Sequence, residues 1–206
     1  MPVSTWDLLH CIVSFHDLIF EAAPNSLGDI STLHTAINMR WTHLNMTNCE
    51  WRLFRIQKQF NTQSALVLSL GSSQVAFDSV VWRNNRLNST GTGQALSFFP
   101  GSVLAFSGRS SDYFSATNCL AEDDRIFGDS LIGGIFAGMS HTRISGCRFE
   151  NNIAFGTRLV WGGVLALQGQ AHVTLEHCLF KNNTAITAAF GDREPGIDAG
   201  GAVNLS

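Results

Sequence analysis

The chain repeats one short frame of apolar and polar positions. An apolar residue, two spacers, a small core residue, one spacer and a bulky apolar residue make up the frame. It fits Met46, Cys49 and Trp51; Phe77, Val80 and Trp82; Ala116, Cys119 and Ala121; Ile144, Cys147 and Phe149; and Leu175, Cys178 and Phe180. A weaker sixth copy reads Leu8, Cys11 and Val13. The central positions lie 38, 31, 39, 28 and 31 residues apart, so the period is near thirty with insertions between copies. The residue two before the triad is apolar in Trp6, Leu44, Val75, Phe114 and Val173, with Thr142 the exception. Alternate residues of a strand share one face, so period-two spacing on both sides of a three-residue step predicts two short strands joined by a bend. Glycine pairs at 133–134, 162–163 and 200–201 open a further strand, in GGIFAG, GGVLAL and GGAVNL.

Three short strands and three corners per repeat predict an all-β fold, a right-handed parallel β-helix of about six coils. One coil cannot bury its apolar face alone, so stacking at about 4.8 Å per coil builds the core. No window keeps apolar residues at helical spacing across a repeat, which excludes a helical solenoid. A β-sandwich also accommodates short strands and frequent turns, but it gives no reason for Cys to recur at one phase. The expected organisation is a single solenoid domain over 1–206, with a degenerate or capping coil over 1–40 and regular coils over 41–206. The final GGAVNLS starts a new coil, which reads as part of a longer solenoid.

Composition narrows the function classes. Charged residues are 14% of the chain and the net charge is −3, which argues against nucleic acid, because a phosphate binder needs a basic stripe. No apolar run approaches the roughly 20 residues of a membrane helix. The start, MPVSTWDLLHCIVSFHDLIFEAA, has no Lys or Arg before its apolar stretch and is a poor signal peptide.

Four copies carry a polar pair just beyond the bulky position: Asn84 and Asn85, Asp123 and Asp124, Asn151 and Asn152, Asn182 and Asn183. Asn tolerates the left-handed conformation of a sharp corner, and its amide can bond its equivalent one coil away. These residues, with Cys49, Cys119, Cys147 and Cys178, are expected to form structural ladders. Asp123 and Asp124 then replace asparagines at a corner rather than forming a glycosidase pair, which needs carboxyl groups about 5–9.5 Å apart. The residues present no catalytic set: GxSxG, P-loop, HExxH and dinucleotide motifs are missing. No metal or other cofactor is assigned. Ca²⁺ is the only ion weighed, on the oxygen donors Asp123 and Asp124, or Asp192 and Asp198. His10, Cys11 and His16, and His172, His177 and Cys178, offer weak ligand spacings, and buried free thiols are the preferred reading. Asn45, Asn88, Asn182 and Asn204 lie in sequons and would accept glycans in a secretory eukaryote.

The segments FENN (149–152), FKNN (180–183), WRNN (82–85) and GGAV (200–203) resemble the FxxN and GGA[ILV] repeats of chlamydial polymorphic membrane proteins. Related repeats occur in right-handed β-helix proteins of the pectin-lyase-like superfamily. The resemblance implies a non-catalytic passenger domain, extracellular or at the cell surface or outer membrane. Such a domain serves adhesion or structure, with a surface ligand of a host or neighbouring cell, protein or carbohydrate, as partner. End-to-end self-association through open strand edges is also expected. The alternative is a polysaccharide-active lyase or glycoside hydrolase, since enzymes of that superfamily share the coil. Of their motifs only a DD pair is present, at Asp123 and Asp124.

Overall fold

The computed structural model describes residues 6–21, 37–58, 65–69, 72–89, 102–106, 113–132, 136–138, 141–161, 164–167, 172–187, 198–199 and 203–205. Among them every regular element is a strand and every strand pairing is parallel, forming a β-solenoid. One passage runs through Ile37–Arg40, His43–Thr47, Glu50–Arg52 and Arg55–Lys58, one strand in each of four sheets. The first sheet has seven strands, the others six each. The predicted three strands per repeat therefore become four. The strand missed is the fourth, which follows the polar pair at which the repeat frame stops; its first four residues keep the period, and the insertions come after them. The glycine corners at 133–134, 162–163 and 200–201 lie outside the described residues.

The second and third sheets and the start of the fourth share one constant register. His43 lies beside Gln74, Gln74 beside Tyr113, and Tyr113 beside His141; Arg55, Arg86, Arg125, Ile153 and Thr184 follow with the same offsets. Within this block the chain turns twice through two-residue corners, the second corner of each passage, between the second and third sheets, and the third corner, between the third and fourth. The outer residue of each corner takes a left-handed backbone: Asp17, Asn48, Ser79, Asn118, Gly146 and His177 at one, Leu53, Asn84, Asp123, Asn151 and Asn182 at the other. Its N–H donates to the next coil, as from Asn48 to the Asp78 carbonyl at 3.0 Å and from Asn118 to that of Ser145 at 2.9 Å. The corner is thus part of the ladder, and its backbone groups stay satisfied.

Alternation places one side of each strand inward. Phe20, Trp51, Trp82, Ala121, Phe149 and Phe180 form one inner row. Phe20 stacks on Trp51 at 4.2 Å and Phe149 on Phe180 at 4.9 Å. Met46, Phe77, Ala116 and Ile144 form a second buried row. Burial is complete in the middle and partial in the end coils, where Val13, Phe15, Phe20, Val173 and Phe180 pack against the core from outside.

The weaker sixth copy needs correction. Val13 pairs with Leu44 and Phe15 with Met46, so the true first triad is Phe15, Leu18 and Phe20. Leu8 pairs with Met39 in the first sheet instead. Cys11 belongs to a different corner, where its Sγ lies 3.9 Å from the Thr42 hydroxyl. A small residue before an apolar strand marks both corners, and Cys11 satisfied the frame one corner early.

Candidate functional site

The third corner divides its two residues between two tasks. Asn84, Asp123, Asn151 and Asn182 supply the positive φ and are exposed. Their followers turn inward and make the ladder. The Oδ1 of Asn85 accepts the Phe54 N–H at 3.1 Å, while its Nδ2 donates to the Trp51 carbonyl at 3.1 Å. Asn152 Oδ1 accepts the Asp124 N–H at 3.0 Å, and its Nδ2 donates to the Ala121 carbonyl at 3.0 Å. Asn183 Oδ1 accepts both the N–H and Nδ2 of Asn152, and its Nδ2 reaches the Phe149 carbonyl at 2.8 Å. Phe54, buried, holds the same rung without an amide.

Asp124 occupies one rung as a carboxyl group and is only 3% exposed. Its Oδ1 accepts the Asn85 N–H at 2.8 Å and Asn85 Nδ2 at 2.9 Å, while Oδ2 is buried with no hydrogen-bond partner. Burial pushes its pKa up to about 7, opposed by the Asn85 bonds and assisted by the negative charges of Asp123 and Glu122. Asp123 faces solvent, so the two carboxyl groups sit on opposite sides of the corner and do not converge on a cation. Asp198 lies in a two-residue strand beside Val160; Asp192 is outside the described residues.

The second corner holds the cysteines. Leu18, Cys49, Val80, Cys119, Cys147 and Cys178 succeed one another from coil to coil, linked by N–H bonds such as Val81 to the Cys49 carbonyl and Arg148 to that of Cys119. All five cysteines are free thiols. Cys49, Cys119, Cys147 and Cys178 each donate to the carbonyl two residues upstream, at 3.2–3.4 Å. That explains why a small, weakly polar residue recurs there. Contact with Cys147 and burial raise the Cys119 pKa, and burial raises that of Cys178. The Cys119 and Cys178 thiols are thereby held in the protonated, less nucleophilic form. His10 stacks on Trp41 at 4.7 Å, on the opposite side of its corner from Cys11, and His16 stands exposed at the end of its strand.

Two outer faces differ sharply. On the third sheet charges neutralise one another along the stack: Arg52 pairs with Glu21 at 2.6 Å, Arg83 with Glu122 at 2.5 Å and more loosely with Glu50, and Arg148 with Glu150. Its carboxylates are committed to guanidinium groups. The second sheet instead presents three parallel rows. One contains His43, Gln74, Tyr113 and His141, continued by His172, whose ring lies 5.0 Å from that of His141. Next come Ser14, Asn45, Ala76, Ser115, Arg143 and Thr174. The third row is His16, Thr47, Asp78, Thr117, Ser145 and Glu176, the last paired with Arg143 at 3.2 Å. The sequence frame tracked inward residues, so this face went unread. Applying the same 28- and 31-residue offsets to outward positions brings Tyr113, His141 and His172 into line.

Asn45 is exposed in the middle row of this face, on the strand next to one edge of the sheet; Asn88 and Asn204 lie in strands of the fourth and first sheets. Asn182 is exposed but donates to Asn151 Oδ1 at 3.3 Å, so a glycan there would compete with a corner contact. No described helix is long and apolar enough to cross a membrane. Comparison with protein-family models, with curated proteins and with solved structures gives no match.

Proposed function

We propose that this solenoid is a non-catalytic binding domain, displayed extracellularly or at a cell surface, whose second sheet engages an extended ligand of a host or neighbouring cell. The observation that carries the reading is the repeated outer face. Six strands at about 4.8 Å spacing give a flat polar platform roughly 24 Å wide. Hydroxyl and imidazole groups recur on it at the period of the coils, joined by the amides of Asn45 and Gln74 and the phenol of Tyr113. A surface that repeats its donors suits a ligand that repeats its own groups, a polysaccharide or an extended polypeptide. Tyr113 and the His141–His172 pair add ring faces with polar edges, the kind of side chain that anchors interfaces. The disposition of the carboxylates supports the same reading, because those described on the third sheet are ion-paired and Asp124 is buried.

Kinship with the chlamydial polymorphic membrane proteins, within the pectin-lyase-like superfamily, belongs to this proposal and rests on the FENN, FKNN and GGAV segments. So do the right-handed winding, the hand that about 98% of parallel crossovers take, and the count of about six coils. A polysaccharide lyase or hydrolase of the same coil is the second reading, favoured only by the acidic corner at Asp123 and Asp124.

Glycan arrays and cell-binding assays test the proposal, comparing the protein with Tyr113→Ala and Arg143→Ala. Binding lost in those variants, with no turnover of acidic or neutral polysaccharides in the presence or absence of Ca²⁺, is the expected result. Turnover abolished by Asp123→Asn would overturn it.

A further inference from the structure

We propose that Asp124 is a proton-binding site built into the asparagine ladder: folded, it is held as the neutral acid, and its Oδ2–H replaces the amide N–H of an asparagine. The argument is geometric and independent of any ligand on the outer face. At the other rungs the terminal nitrogen serves two acceptors. Asn85 Nδ2 donates to the Trp51 carbonyl and to Asp124 Oδ1; Asn152 Nδ2 donates to the Ala121 carbonyl and to Asn183 Oδ1. Each carbonyl used lies three residues before the corner on the preceding coil. For Asp124 the matching pair is the Trp82 carbonyl and Asn152 Oδ1. Asp124 Oδ2 sits where the ladder calls for a donor, and it is buried without one. By the repeat of the ladder a carboxylate oxygen there meets two acceptors and no donor; protonated, it donates to one of them, where an asparagine amide would serve both. An unmatched buried anion is strongly disfavoured, which is why such a group binds a proton instead.

The surrounding charges leave this intact. Glu122 and Asp123, on either side of the turn into the corner, are negative and favour the acid. Arg83 is engaged by Glu122 and Glu50, and Arg148 by Glu150. Arg86 lies over the Phe127 ring at 4.9 Å, and Arg125 is exposed. With the folded pKa near 7 and an unfolded value of about 3.9, the folded chain holds the proton more tightly. The contribution of Asp124 to stability is therefore fullest below about pH 4, falls as the pH rises to about 7, and is level above that. What loosens is the contact of Asp124 with an adjoining coil, the one that carries Trp82 or the one that carries Asn152.

The test compares urea unfolding of the protein with Asp124→Asn and Asp123→Asn at pH 5 and pH 8. The protein and Asp123→Asn should show a folding equilibrium constant about 10–100-fold lower at pH 8 than at pH 5, over and above the change seen in Asp124→Asn. Asp124→Asn, which restores a full rung, should be the more stable at pH 8. Carbon-13 NMR of the Asp124 carboxyl should show one titration near neutrality in the folded protein. The proposal fails if Asp124→Asn keeps the same pH response, or if the carboxyl titrates as an ordinary surface acid. Stabilisation of the protein by Ca²⁺ at pH 8, absent from Asp124→Asn, would also overturn it, since the carboxylate would then be holding a cation.

Discussion

Gly146 shows how narrowly a single corner position can be specified. Its φ is +64°, and a Cβ built on it would lie 2.6 Å from the Asn118 Oδ1 of the preceding coil. Five other residues take the same conformation in that column, so the backbone alone does not demand glycine; the close approach does. Gly146→Ala should cost about 1–2 kcal/mol, the usual price of a side chain in the left-handed region, plus the displacement of Asn118. The double variant with Asn118→Ser should recover the second part only, read from urea midpoints. The asparagine pair shows the limits of sequence at this scale. Its corner position was legible from residue type, but the division between an outer residue that bends and an inner one that bonds was not. Both tasks favour Asn, so composition cannot separate them.

At the scale of the strand and corner, the cysteine column is the clearest element. Val80 already occupies it between Cys49 and Cys119 and is fully buried. Cys49→Val should therefore change stability by less than about 1.5 kcal/mol, as volume-conserving apolar swaps do. Cys49→Asp should unfold the coil, because it buries a charge without a partner. Thiol titration offers a second check. In the folded protein Cys49, Cys119 and Cys147 should resist alkylation, and all five cysteines should react in urea. The strands on either side of this corner were readable because their inward residues alternate strictly and their spacing never changes. The first coil was misread for a related reason. Cys11 precedes an apolar strand as the column cysteines do, and only pairing of Ile12 with His43 shows that it sits at another corner. Surface charge offers less. Arg83 bridges two carboxylates yet is 42% exposed, so Arg83→Gln should cost under about 1 kcal/mol, and less at high salt.

For the whole molecule, the parallel stack makes stability a sum of contacts between neighbours. The two ends present Trp6–Leu9, Ile12–His16 and Ile19–Glu21 on one side, and Val173–Glu176, Leu179–Lys181 and Val203–Leu205 on the other, each as the last strand of its sheet. Among the described residues no further strand pairs with these edges, and unpaired edges invite pairing; if the chain associates end to end, light scattering shows a mass that rises with protein concentration, and a constant mass counts against it. The solenoid class was legible from period and phase alone, because a stacked coil imposes one residue preference on every copy. Which outer face meets a ligand was not, since solvent imposes no such preference. The constant register of the second, third and early fourth sheets has a further consequence: copy number is a free variable. Removing residues 141–171 would set Tyr113 beside His172, Cys119 beside Cys178 and Asp124 beside Asn183, each in the place its present neighbour holds. A chain shortened in this way should keep its β-type circular dichroism and melt cooperatively, whereas removal of a few residues fewer should not. Within this block the solenoid can gain or lose reach by whole modules while the corner contacts keep their form.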